Sequence, residues 1–442
     1  MRRFGLRWTV IVTILGVAMV APISVASAQS TGGSSGGPPK ATEVGVTPST
    51  INIAVIADVN TPLAPGLFQG SATAVEDFAN YINKHGGIAG RKLHVDFIDS
   101  KLSADESLNA LIQACSNDFA TVGTTALFMN NVTPAVNCKD INGKATGMPD
   151  IPELTTSLAQ QQSPVSFPII APERDFSAPT ETYDARRGQG LYFTSHDKNL
   201  HGVFLVPADL TATKISTEPG NHALQQTGIK DDGDFNVFGT WTQDNYLPIA
   251  AAIKQHGSTY VRDGSNDVSM ADMRLEAQQQ GVNSVKVWDC SLSCYSQKFL
   301  QLAGSAGNGQ YLETFFVPLE EAKSVPDEQA YINSVGGIKN ASGFGAQAWI
   351  AALFFQAVLN KMVAAGGVNS VTRANFFKTA ATIHNFTAGG MTGPTDIGGK
   401  KPSGCYDLLQ VQNQKFVRVY PKKAATFDCS PKNLLQVMFH AQ

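Results

Sequence analysis

The sequence is poor in charge of either sign. Lys, Arg, Asp and Glu make up 16% of its 442 residues, and the formal net charge is −3. No run of basic residues occurs, so the clustered Lys/Arg that phosphate backbones demand is missing and nucleic acid is excluded as a partner. No cysteine precedes Cys115, which rules out a lipobox and a lipid anchor by that route. The P-loop, the G-x-G-x-x-G turn and the H-E-x-x-H helix are all absent. Gly32-Gly33-Ser34-Ser35-Gly36 matches the G-x-S-x-G elbow, but it lies in a Gly/Ser tract without the strand-turn-helix the elbow requires. The histidines at 85, 94, 196, 201, 222, 256, 384 and 440 are scattered, and the near pair His196 and His201 lacks an acidic third partner at ligand spacing. No catalytic constellation results, and neither a metal nor a cofactor is called for. After the leader, no apolar run reaches the roughly 20 residues that a membrane span needs.

What is present begins with that leader. Arg2, Arg3 and Arg7 precede an apolar core from Trp8 to Val20, and Ala26-Ser27-Ala28 is an A-x-A cleavage site. Residues 1–28 therefore read as a signal peptide, and the mature chain as a soluble exported protein starting at Gln29. Loss of the leader's arginines makes it more acidic. Residues 29–47 read as a flexible linker, since Ser30 to Thr42 is rich in Gly, Ser and Pro. The six cysteines fall into three local pairs, 115/138, 290/294 and 405/429. Six cysteines allow fifteen pairings, of which the local one is the simplest. A metal site is the alternative, but Cys290-x-x-x-Cys294 is not zinc-knuckle spacing and has no histidine beside it.

The remainder suits two α/β domains. Ile51, Ile53, Val55 and Ile56 form a nearly continuous apolar strand, as expected in a parallel sheet covered on both faces. A Pro/Gly-rich loop follows, Thr61 to Gly66. Then Val75, Phe78, Ala79 and Ile82 recur at helical spacing, Gly86-Gly87 stops the helix, and Leu93, Val95 and Phe97 alternate along a second strand. Ser103-x-x-Glu106 opens a further helix as a capping box. Strands are also expected at Phe119–Val122, near Ile151 and Ile169, and at 201–206, 259–261 and 285–288. Helices are expected at 246–256, 270–280, 346–362 and 372–382. A hairpin is expected across Asn413-Gln414.

The stretch Ile82-Asn83-Lys84-His85-Gly86-Gly87-Ile88-Ala89-Gly90-Arg91-Lys92, followed by a strand ending at Asp99, resembles the opening of type I periplasmic binding proteins. Within that family it is most similar to the leucine/isoleucine/valine-binding branch associated with ABC transporters. The resemblance extends over most of the chain after about residue 48 and returns from Phe344 to Pro394. It implies two doubly wound α/β lobes joined by hinge strands, with 48–190 and 336–400 in lobe 1 and 191–335 and 401–442 in lobe 2. It also implies an extracytoplasmic, monomeric binding protein that passes a small polar solute, such as an amino acid or derivative, to a membrane ABC permease. A ligand-sensing ectodomain working through a separate signalling partner is the alternative.

Ligands of open α/β sheets sit at the carboxyl ends of strands, so the exit loops hold the candidate site. A zwitterion needs hydroxyls and N–H groups for its carboxylate, an acid for its ammonium and apolar walls for its side chain. The first loop offers Asp58 and, at the family's aromatic wall, Leu67 or Phe68. The resemblance places carboxylate-binding hydroxyls at Thr124 and Thr125, and a second hydroxyl loop at Thr155 and Thr156. In the second half, Asp209 lies where relatives carry an Asp followed by an aromatic, but no aromatic follows here. Trp288 and Asp289 are the candidates for stacking and for the ammonium. Trp241 is expected in the core.

Overall fold

The apolar run after Ser49 becomes β1 (Thr50–Ala57), whose side chains from Ile53 onward are buried on both faces. The computed structural model describes residues 37–61, 65–209 and 211–439. The expected leader, the start of the expected linker and Pro62–Ala64 of the first loop lie outside the described residues.

β1 is joined in parallel by β2 (Lys92–Asp99), β3 (Ala120–Thr124) and β4 (Asp150–Pro152), in the order β2-β1-β3-β4. Two short strands follow, β5 (Arg174–Asp175) and β6 (Thr182–Arg186). A second sheet holds β7 (His201–Pro207), β8 (Lys230–Val237), β9 (Tyr260–Asp263), β10 (Val287–Cys290) and β11 (Gln310–Thr314), all mutually parallel. The hairpin β12 (Asp407–Gln412) and β13 (Lys415–Tyr420) adds antiparallel to β11, giving the order β13-β12-β11-β10-β9-β7-β8. Asn413 and Gln414 both take positive φ at its turn, as expected for a two-residue hairpin loop. Finally β14 (Leu434–Met438) pairs with β6, so a segment expected in the second lobe is hydrogen-bonded to one expected in the first.

The chain passes between the two parallel sheets after β4, after β11 and before β12. Both sheets are doubly wound. The strand order reverses between β1 and β3 in one and between β7 and β9 in the other, and the crevices at such switch points receive ligands.

Local signals explain several helix starts. Ser103 caps the helix Ala104–Asn117 and accepts from the Glu106 N–H; the Glu106 side chain turns to Lys101 instead of completing a box. Thr372 caps Arg373–Ala380 in the same way. The helix Gly343–Gly366 corrects the expectation of no second run of spanning length, because it is long and apolar enough to cross a membrane. Its large side chains, Trp349, Phe354, Phe355 and Leu359, are nevertheless buried against the helix Gln69–Lys84 and β3, which makes it a core helix. Thr211–Gln225, where no element was expected, is a helix that carries Pro219 inside it.

The end of the expected linker is also corrected. Lys40 N–H donates to Asn369 Oδ1 at 2.8 Å, and buried Arg91 donates to the carbonyls of Lys40, Thr47, Ala89 and Val368. The chain is therefore pinned from Lys40 onward. All six cysteines form the local disulfides, Cys115–Cys138, Cys290–Cys294 and Cys405–Cys429.

Candidate functional site

Every parallel strand of the two sheets sends its carboxyl-end loop toward one cavity of about 340 Å³. The first sheet supplies an apolar wall of Leu67, Phe68, Leu102, Leu127 and Leu154, completed by Phe344 from the start of the core helix. Phe68 and Phe344 meet edge to face with centroids 5.0 Å apart, which fixes both rings. The second sheet supplies the polar groups, Asp209 after β7, Arg262 in β9, Asn266 after β9, Ser291 and Ser293 after β10, and Glu313 in β11, set among Pro207, Leu292 and Phe315.

Four of the residues expected at the site lie on this cavity: Leu67, Phe68, Thr156 and Asp209. The Thr156 hydroxyl donates to the Leu127 carbonyl at 3.1 Å, and an Asp209 oxygen accepts from the Gly239 N–H at 2.7 Å.

The other six lie behind it. Asp58 is fully buried and accepts from Ser100 Oγ (2.6 Å), Leu102 N–H (2.7 Å) and Leu127 N–H (2.8 Å), so it ties three exit loops together. Thr124 donates to Asp150 and Thr125 donates to Glu153, both at 2.8 Å and both beneath the loop. Burial pushes the Glu153 carboxyl up to about 8 despite hydrogen bonds from Ser71 and Thr125. Thr155 is buried and its carbonyl accepts from Gln161. Trp288 lies in the core, with the Arg274 guanidinium over its ring at 4.5 Å. Asp289 is fully buried, accepts from the Tyr260 hydroxyl at 2.7 Å and stands 3.0 Å from Arg262. It acts on the cavity only through that arginine. Trp241, expected in the core, is half-buried at its edge and packs edge to face on Tyr246.

The reason for the inward turn of Thr124 is visible at Gly123. This residue takes φ 71° and the pairing of β3 with β4 slips between Val122 and Thr124. A bulge of this kind re-aims the side chain that follows it.

Several cavity residues escaped the sequence reading. Arg262 is one position beyond the expected strand 259–261, and Glu313 belongs to a short polar strand that was not expected. Gln189 and Gln347 are 1% and 2% exposed, and the Gln189 Oε1 and both amide atoms of Gln347 have no hydrogen-bond partner among the described residues. The only forward signal for these residues was the rule that strand ends carry sites. Among the described residues, no group of three His, Cys, Asp or Glu side chains is arranged to hold a metal ion.

The family model described as "Periplasmic binding protein" matches residues 50–415. The chain belongs to the periplasmic binding protein family. Its two-lobed fold is that of the type I members. A fatty acid ABC transporter substrate-binding protein from Thermomonospora curvata superposes with a TM-score of 0.66 at 17% identity, covering 88% of this chain and 95% of that one. A branched-chain amino acid ABC transporter protein from Thermus thermophilus, solved with bound valine, gives 0.69 at 14% identity over 87% and 98%. The branched-chain amino acid transporter substrate-binding protein of Streptococcus pneumoniae, solved with isoleucine, gives 0.64 at 17% over 84% and 100%. Compared by sequence with curated proteins, the chain matches none. At these identities the structural likeness speaks for the shared fold and leaves the solute to the cavity's own lining.

Proposed function

We propose that this periplasmic binding protein is an exported, non-enzymatic receptor that encloses a solute with a substantial apolar body and hands it to a membrane ABC permease. The two lobes, 48–190 with 336–400 and 191–335 with 401–442, would close on the solute by hinge motion. The observation that carries this reading is the composition of the two walls. Five large apolar side chains from the first sheet's exit loops face a wall of charged and hydroxyl-bearing residues from the second. A sugar or polyol would leave its hydroxyls against leucines, unpaired and desolvated, at a cost of about 1–3 kcal/mol each. A free amino acid would find no unclaimed lobe-1 hydroxyl proton for its carboxylate: Thr124 and Thr125 donate to Asp150 and Glu153, and Thr156, on the cavity, donates to the Leu127 carbonyl. At roughly 30 Å³ per water-sized group, the cavity takes on the order of a dozen non-hydrogen atoms. Leu67, Phe68, Thr156 and Asp209 of the expected set therefore remain as contacts, joined by Leu102, Leu127, Leu154, Phe344, Arg262 and Glu313.

Thermal unfolding of the mature protein, stripped of carried-over solute by unfolding and refolding, tests this. A ligand at 100 times its Kd adds about 2.7 kcal/mol, a shift of a few degrees in a chain of this size. Medium-chain alcohols, acids and amines and arylalkyl compounds should raise the midpoint, while sugars and glycine should not. A shift confined to sugars and polyols would refute the reading.

A further inference from the structure

Building on that reading of the cleft, we propose that the solute carries a cationic nitrogen head, as in an alkyl- or arylalkylamine, and that Glu313 on the second wall is its counter-ion. The charges bordering the cavity do not cancel. Arg262 already has Asp289 at 3.0 Å and Arg186 already has Glu173 at 2.8 Å. Among the described residues, no cation forms an ion pair with Glu313, which borders the cavity at 9% exposure and accepts only from the Gln189 amide, at 3.0 Å. Asp209, a second carboxylate on the same wall, accepts from a backbone N–H. The wall thus presents negative charge in excess of its cations.

Groups on the cavity without a hydrogen-bond partner among the described residues include donors at Gln347 Nε2, Arg262 Nε and Arg262 Nη1, and two acceptors that a cation could use. The acceptors are Gln189 Oε1 and Gln347 Oε1, buried without partners on residues that line the cavity, and Gln189 adjoins the Glu313 carboxylate. An ammonium has three N–H donors and no acceptor, which matches such a set. A carboxylate head would meet Glu313 and Asp209 as like charges; its one rival partner on this wall is Arg262, whose Nε and Nη1 have no hydrogen-bond partner among the described residues, so octanoate is the discriminating probe.

Protonation gives the proposal a signature. Burial, reinforced by the neighbouring carboxylates Asp289 and Glu173 and opposed by Arg262 and Arg186, pushes Glu313 up to about 7 in the empty protein; the hydroxyls of Tyr260 and Tyr406 also lie in its field. A bound ammonium favours the carboxylate and lowers that value. Amine binding therefore releases a proton and tightens as pH rises through 7, then levels off.

The test is calorimetric titration of the mature, stripped protein at pH 6 and pH 8 with three probes of matched length, n-octylamine, n-octanol and n-octanoate. The amine should bind at least about tenfold more tightly than the alcohol at pH 8, the scale of one charge-assisted hydrogen bond. Its affinity should improve by up to about tenfold from pH 6 to pH 8. Glu313→Gln should remove both effects, bringing the amine down to the alcohol's affinity and flattening its pH dependence. If the variant does not fold, the wild-type pH series decides. Preferred binding of octanoate, an amine affinity that is flat or falls with pH, or a Glu313→Gln protein that keeps the amine preference would overturn the proposal. Binding of octanol or octanoate without octylamine would overturn the cationic head alone and leave the apolar-body reading intact. No binding by any of the three to protein folded by circular dichroism would overturn both.

Discussion

The two walls of the cleft are built by the same device and end with opposite chemistry. Each comes from loops at the carboxyl ends of parallel strands beside a switch point. In the first sheet the polar side chains of those loops turn inward: Asp58, Thr124 and Thr125 bond other loops or the buried carboxyls of Asp150 and Glu153, and leucines are left facing the cavity. In the second sheet the buried partner, Asp289, stays behind and holds out Arg262, while Glu313 faces the cavity directly. A strand-end position says where a site is; the fate of each polar side chain decides what the site binds.

The contrast can be broken from either side. The largest effect is expected at Asp289→Ala, which leaves the buried Arg262 without its carboxylate and should lower stability by about 3–5 kcal/mol in urea unfolding. A near-neutral result would mean that the second wall does not depend on this pair. Next comes Gly123→Ala. Its φ of 71° disfavours any side chain, and an added Cβ would stand 2.7 Å from Val75 Cγ2. A loss of about 2–3 kcal/mol is expected from combined strain and overpacking. Solute affinity should suffer as well, since the bulge at Gly123 aims the loop that carries Leu127.

A smaller effect is expected for Thr125→Val, about 1 kcal/mol of stability from one lost hydrogen bond to Glu153. The last is a slope against pH and not a single loss of stability. Glu153 titrates at about 8 in the folded protein, far above an unfolded glutamate, so the native state holds a proton that the unfolded chain has released. Its stabilising contribution is complete below about pH 4.5 and fades as pH rises toward 8. Glu153→Gln should flatten that part of the stability–pH profile, and an unchanged profile would place the titration elsewhere.

The sequence was most legible where one physical demand dominated. Ile51–Ile56 must be covered on both faces, so β1 and the helix after it could be read directly. Asn413-Gln414 between two apolar runs forced a hairpin, and three local cysteine pairs closed as the simplest pairing suggested. Where demands conflicted, the reading stopped. Pro219 and a polar composition hid the helix Thr211–Gln225, and the mixed residues of Gln310–Thr314 hid the strand that carries Glu313. Thr124 and Thr125 were found at the right loop, but the backbone turn at Gly123 that directs Thr124 toward Asp150 depends on the slip between β3 and β4, which no single-strand pattern encodes.

The central claim is that leucines of the first wall, and not the hydroxyls of Thr124 and Thr125, meet the solute. Its most direct test is calorimetric titration of wild type, Leu154→Asp and Thr125→Val with whichever solute raises the unfolding midpoint most. A charge placed on the apolar wall should cost tenfold or more in affinity, on the order of 1.4 kcal/mol or above, while Thr125→Val should stay within about twofold of wild type. A tenfold loss in Thr125→Val with Leu154→Asp unaffected would contradict the account.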